Sequence, residues 1–360
     1  MIPHNLDALV VGAGINGLLS ALNLARQGLK VRVLDQGDIA RESTWAGAGI
    51  LSPLLPWNYG EVVNTLSERG RALWPELAHW LLQESGIDPE YQACGMLAMG
   101  DFDMDLAKAW CERHGWPCGE VSAWGEITVP PHMSALWLPE VAQARNPRVA
   151  QALLAVGVQM GIQVSANLGV TDFHIGNGRI ESARTPDGEI RADRYVVAGG
   201  AWSGKLLGEQ ALGLDIRPVR GQILLFKATP GLLTHIVYRE GRYLVPRLDG
   251  HILAGSTLEE AGFDKSCTDE ARESLMSFAL EAFPPLREAQ VVRHWSGLRP
   301  GSPGNLPTVS RHPSLENLFV NSGHFRYGVT MAPASAELLT ELMLDQPTTL
   351  EARPYAWRRP

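Results

Sequence analysis

The chain has 360 residues, 45% hydrophobic and 19% charged, which is the composition of a globular protein with material for two cores and excludes a fibrous or disordered one. A formal net charge of -8 argues against a constitutive nucleic-acid binder, which presents a basic stripe, so small molecules are the expected partners. No apolar run approaches the ~20 residues of a membrane span, and MIPHNLDALVVGAG reads as entering a strand at once without a leader, so a cytoplasmic location is expected.

The stretch DALVVGAGINGLLSALNLARQGLKVRVLDQ predicts a strand over 7–11, a helix over about 15–27 and a second strand over 30–35. Gly12, Gly14 and Gly17 fit G-x-G-x-x-G, with Ile15 and Asn16 opening the helix. The first glycine permits the tight turn, the second lets a pyrophosphate approach the backbone, and the third brings helix and strand close. Asp35 closes the second strand, where a carboxylate accepts hydrogen bonds from ribose hydroxyls; Gln36 follows it. These features predict a dinucleotide site and leave NAD and FAD open.

RESTWAGAGILSP, residues 41–53, is small, polar and glycine-rich. Ser43 and Thr44 are candidate phosphate donors, and Ala46 to Gly49 leave room for a flat ring on backbone. A helical pattern follows from about 60 to 85. Further on, NPRVAQALLAVGVQMGIQV predicts a helix capped by Asn146 with Pro147 at its first position, then a strand. ADRYVVAGGAWSG, with Gly199 and Trp202, repeats the order strand, glycines, helix. ENLFVNSGHFRYGVTMAPASAELLTELM does so again, with a strand over 317–321 and a helix over 330–343.

In a doubly wound sheet such junctions meet beyond the carboxyl ends of the strands. A nicotinamide dehydrogenase completes its cofactor domain in one block, whereas these motifs bracket the chain, which favours FAD. The last helix then aims its unpaired N–H groups at the flavin pyrimidine edge, where negative charge accumulates on reduction.

Alternation over 221–226, 242–247 and 251–256, with Asp249-Gly250 as a hairpin turn, predicts an antiparallel sheet in a second domain. The expected fold is α/β, α+β overall. A discontinuous Rossmann-like FAD-binding domain takes residues 1–85, 141–216 and 297–360. An antiparallel-sheet substrate domain takes 86–140 and 217–296. Arg299, in GLRPG, is read as following a strand at the domain junction, where a guanidinium suits capture of a carboxylate. Tyr243 adds a phenol, and Arg326 falls in the last junction. The cysteines, Cys94, Cys111, Cys118 and Cys267, lack metal-ligand spacing and read as buried reduced thiols; no metal is expected.

The ordered blocks VVGAGINGLLSALNLARQG, ESTWAGAGIL, VVAGGAWSG, PVRGQ, YLVPRLDGHILAGST, WSGLRPGSPGNLPTVSRHP and GHFRYGVTMAPA resemble the D-amino-acid-oxidase superfamily of flavoproteins, and within it the glycine oxidases of the thiamine pathway. The resemblance implies a noncovalent FAD. It places cofactor contacts at Asp35, Gln36, Ser43, Thr44, Ala48, Gly49, Ile50 and Val170, and at Gly323, His324, Phe325, Arg326, Tyr327, Gly328, Val329 and Thr330. Arg299, Tyr243 and Arg326 become the substrate residues. His324 belongs to the cofactor shell rather than acting as a base.

The implied reaction oxidises glycine, sarcosine or a small D-amino acid by hydride transfer to flavin N5, with oxygen as acceptor and a 2-oxo acid, ammonia and hydrogen peroxide as products. Ile50 and Leu258 stand where relatives can carry methionine, and Trp45 and Tyr327 replace smaller residues. A D-amino-acid dehydrogenase, a sarcosine oxidase, the oxidase module of a tRNA-modifying enzyme and a flavin carrier without turnover are the alternatives; a homo-oligomer is left open.

Overall fold

A computed structural model describes residues 6–124, 127–130 and 132–358; Met1–Asn5, expected to lead directly into the first strand, lie outside them. Six strands form one sheet in the order Gln163–Ser165, Val31–Leu34, Ala8–Val11, Arg194–Val197, Leu318–Ser322 and Thr308–Arg311. All neighbours run parallel except the last pair. Its central strands are apolar on both faces, as a covered parallel sheet requires. Val10, Val33, Val196 and Phe319 pack under the helices Ile15–Arg26, Asn146–Gln159 and Gly328–Met343. Leu9, Leu34, Tyr195 and Val320 face the other way, onto the three-stranded sheet of Asp172–Gly176, Arg179–Thr185 and Gly188–Ile190.

The second sheet has eight strands, in the order Gln290–Gly301, Arg217–Lys227, His251–Gly255, Arg242–Pro246, Ile236–Arg239, Met96–Gly100, Ser134–Leu138 and Gly119–Glu120. Leu224, Phe226, Leu244 and Ile252 bury one face under the helix Asp269–Ala282. Ile223, Tyr243, Val245 and Leu253 line the other, which joins the main core. The sheet departs from the antiparallel expectation at one place: Met96–Gly100 runs parallel to Ile236–Arg239. The intervening chain is long enough for the crossover that a parallel pair needs.

Other local expectations are corrected. Ser43–Ala46, for which no element was expected, is one turn of helix. Asn146 is helical rather than a cap, because its amide donates to Thr44 O at 2.8 Å and Gly47 O at 3.1 Å. Arg299 lies inside a strand, and that strand runs from Gln290 to Gly301, across the boundary placed at 297. Of the four thiols, only Cys111 is buried and Cys267 is exposed.

The terminal helix contains Pro333, which cannot donate to the carbonyl four residues back, that of Val329. The indole N–H of Trp74, fully buried on the helix Glu61–Ser85, donates to that carbonyl at 3.0 Å. A Cβ on Gly70 would come 2.1 Å from Thr330 O, so the two helices meet backbone to backbone at the start of the terminal one.

Candidate active site

A cleft of about 470 Å³ opens between the carboxyl ends of the parallel strands and the inner face of the second sheet. One end is built on backbone. Gly12 has φ +110°, and a Cβ there would lie 2.4 Å from Ala198 O; one on Gly17 would lie 1.8 Å from Gly12 O. Only glycine permits the turn that brings the start of the helix Ile15–Arg26 onto the cleft. Gly14 and Ile15 line it there, and the Ile15 N–H donates to Thr44 Oγ1 at 3.0 Å, which leaves the threonine hydroxyl proton free. Asp35 accepts from the N–H groups of Ala13 at 2.8 Å and Gly37 at 2.9 Å. Burial raises its carboxyl above the usual range, against those two bonds. Gln36 and Val170 stand alongside.

The middle of the cleft is lined by Asn16, Ser43, Ala48, Gly49, Ile50, Gly199, Trp202 and Lys205, and by His324, Phe325, Gly328 and Val329. Gly328 begins the terminal helix, whose first turn has no side-chain cap and so presents unpaired N–H groups. His324 is buried; its Nε2 meets Ser335 Oγ at 2.9 Å while Nδ1 has no partner among the described residues. Burial depresses its pKa to about 3. Asn16 Oδ1 and Asn321 Oδ1 are buried and without a partner among the described residues as well. Glycine backbone, bare helix starts and orphaned polar atoms of the lining fit a ligand rich in phosphate and hydroxyl groups.

The other end is built on side chains. Tyr243 projects from the strand Arg242–Pro246, and Arg299 from Gln290–Gly301. The Arg299 guanidinium donates to Ser256 Oγ at 2.7 Å and Thr257 O at 3.2 Å, with Tyr243 beside it in the lining. Burial holds its pKa below the ordinary value; Tyr243 opposes this, and the like charge of Arg326 adds to it. Neither arginine has an ion-pair partner among the described residues. Burial works against the Arg326 charge, but the hydroxyls of Tyr327, Tyr59, Tyr243 and Tyr238 together favour it and leave its pKa raised. Tyr327 and Tyr59 are hydrogen-bonded hydroxyl to hydroxyl and stand edge to face, 5.1 Å apart.

Three residues expected at the cofactor stand outside the lining. Gly17 packs helix on strand, Gly323 has φ +85° with its carbonyl taken by Ser302 Oγ, and the buried Thr330 donates to Ile50 O at 3.2 Å. Leu258 is exposed and Trp45 stacks between Arg41 and Arg293, so neither shapes the cleft. Sequence reading missed Gly221, Ser256, Ser52, Leu54 and Gly297 as lining residues. Of these all but Leu54 fall inside quoted runs, Ser52 in RESTWAGAGILSP, Gly221 in PVRGQ, Ser256 in YLVPRLDGHILAGST and Gly297 in WSGLRPGSPGNLPTVSRHP, but none was singled out there.

A model of the FAD dependent oxidoreductase family DAO matches residues 7–342. The chain is 41% identical to a glycine oxidase of Pseudomonas aeruginosa over 97% of both chains. It is 30% identical to the bifunctional protein ThiO/ThiG of Trichormus variabilis, over 94% of this chain and 53% of that one. The crystal structure of glycine oxidase from Geobacillus kaustophilus superimposes with a TM-score of 0.91 at 25% identity, covering 99% of each chain. A family match over almost the whole length, on a fold with a bare-backbone cleft of this kind, shows that the chain belongs to the DAO family of FAD-dependent oxidoreductases.

Proposed function

We propose that the chain is an amino-acid oxidase that holds FAD noncovalently and deaminates glycine and other small amines, among them sarcosine and D-alanine, to the 2-oxo acid, ammonia (methylamine from sarcosine) and hydrogen peroxide. The observation that carries this reading is Arg299, a guanidinium lining the cleft with no carboxylate partner among the described residues. The P. aeruginosa relative, a glycine oxidase, supports the choice of amine. In this reading the parallel sheet, from 1–85, 141–216 and the chain beyond Gly301, carries the cofactor. Residues 86–140 and 217–301 carry the substrate sheet.

FAD, when bound, supplies the two-electron acceptor. Gly12, Gly14, Ile15 and Thr44 would face its pyrophosphate, Asp35, Gln36 and Val170 its adenosine half, and Ala48 to Ile50 with His324 to Val329 its ring half. Arg299 takes the substrate carboxylate in a charge-assisted fork, with the Tyr243 hydroxyl beside it. That contact fixes the Cα–H by position, and position contributes more here than acid–base chemistry. Arg326 sets a second positive charge at this end of the cleft, which disfavours an ammonium and favours the neutral amine. No strong base is then required, and His324, with a pKa of about 3, is not one at neutral pH. The imine leaves and hydrolyses in water.

The acidic balance and the absence of a membrane-length apolar helix among the described residues accord with a cytoplasmic enzyme that binds no nucleic acid. Oxygen uptake across glycine, sarcosine and D-alanine, with peroxide measured in parallel, tests the function. Turnover with dyes but not with oxygen would make the chain a dehydrogenase, and turnover of none of the three would remove the reading. Flavin that stays with acid-precipitated protein would contradict noncovalent binding.

A further inference from the structure

The run Arg220-Gly221-Gln222 on the strand Arg217–Lys227 has no part in the steps above, yet it touches the substrate arginine from two directions. Gly221 pairs with Gly297 and Val219 with Arg299, which puts Gly221 diagonally beside Arg299 on the cleft face of the sheet. A Cβ on Gly221 would lie 2.1 Å from Nη1, 2.3 Å from Nη2 and 2.4 Å from Cζ of Arg299. Both terminal nitrogens lie nearer that point than Cζ does, so the guanidinium meets the glycine backbone with its Nη1–Nη2 side, where no side chain fits.

Arg220 and Gln222 work on the loop Ser256–Thr268. The Gln222 N–H donates to Thr257 Oγ1 at 2.8 Å, its amide donates to Glu259 at 2.9 Å, and its Oε1 accepts from the Thr268 N–H at 3.0 Å. Arg220, 7% exposed, binds Glu259 at 2.6 Å and Asp264 at 2.7 Å and exchanges backbone bonds with Glu259. The loop so held presents Ser256 Oγ and Thr257 O, the two acceptors of Arg299. Each terminal nitrogen spends one N–H there and keeps one, and Nε–H stays free, so a fork remains for a carboxylate.

We propose that Arg220-Gly221-Gln222 is the seat of Arg299: Gly221 is the shelf, while Arg220 and Gln222 fix the loop that sets the fork's rotation. These are positioning residues for substrate capture, and the inference rests on the reading that Arg299 binds the carboxylate. The arginine is preorganised, so it loses little freedom on binding.

Gly221→Ala holoenzyme, titrated with acetate while the visible flavin spectrum is followed and then assayed with glycine, tests this. The expected result is a rise of at least tenfold in the acetate Kd and in the glycine KM. The flavin reduction rate at saturating glycine falls far less, and flavin content and Tm stay near those of the parent. Acetate affinity within twofold of the parent, or a loss of flavin affinity and Tm alongside it, would overturn the seat. Should Gly221→Ala fail to fold, Ser256→Ala decides: at least threefold weaker acetate binding supports the seat, and no change overturns it. Arg299→Ala separates the two claims. If it alone weakens acetate, the seat falls and the site reading stands; if it too leaves acetate unchanged, the site reading itself falls.

Discussion

The two ends of the cleft are made of different materials. The end near Gly12 is backbone: a left-handed glycine turn, a helix start and one carboxylate that accepts two main-chain N–H groups. The end near Arg299 is side chains from the second sheet and from the chain's last junction, two guanidinium groups and the phenols of Tyr243 and Tyr327, with no ion-pair partner for either arginine among the described residues. A backbone site tolerates side-chain exchange and fails when a Cβ is added. A side-chain site fails when one charge is removed and leaves the rest of the cleft intact.

The sharpest break of the first end is Gly12→Ala, whose Cβ would meet Ala198 O at a residue with φ +110°. Purified protein is expected without flavin, read from its visible spectrum, while far-UV circular dichroism reports a folded chain. At the second end Arg299→Ala leaves flavin in place and raises the glycine KM at least tenfold, on the order of 1.4 kcal/mol or more. Were the two variants to lose flavin equally, the division of labour between the ends would be wrong.

Smaller effects concern the elements that join the ends. His324 is neutral in the folded state down to about pH 3, and His235, packed against Trp124 and Trp137, down to about pH 4. Unfolded chains protonate both below about pH 6.5, so the unfolded state binds more protons in the acid range. Stability is then full above that pH and falls by about 1.4 kcal/mol per pH unit and per histidine below it. The Tm loss between pH 7 and pH 5 should shrink in His324→Gln. An unchanged slope would mean that the ring is charged in the fold. Least of all, Trp74→Phe leaves the Val329 carbonyl with neither a helical nor an indole donor, a loss of about 1–2 kcal/mol in urea unfolding with glycine KM unchanged.

The same contrast governs what the amino-acid sequence discloses. The first end is local: strand, glycines, helix, strand and Asp35 are contiguous, and the observed elements Ala8–Val11, Ile15–Arg26 and Val31–Leu34 fall within a residue or so of those expected. The two later strand–glycine–helix junctions were readable by the same grammar. The second end is assembled across the chain. Pro300-Gly301 read as a loop beyond the strand, yet Gln290–Gly301 is an edge strand in which Pro300 faces Pro218, so the missing N–H interrupts nothing further out. Asn146 had the composition of a cap, but Thr44 and Gly47 claim its amide. The shelf at Gly221 needs the coordinates of residue 299 to be seen at all.

The central claim is that this cleft presents an amino acid, held by its carboxylate on Arg299, to FAD. An anaerobic titration of the holoenzyme with glycine tests it most directly. The visible flavin band should bleach in the parent and at tenfold or higher glycine concentration in Arg299→Ala. A flavin that stays oxidised in the parent under glycine, sarcosine and D-alanine, or that bleaches at the same glycine concentration in both proteins, would contradict the account.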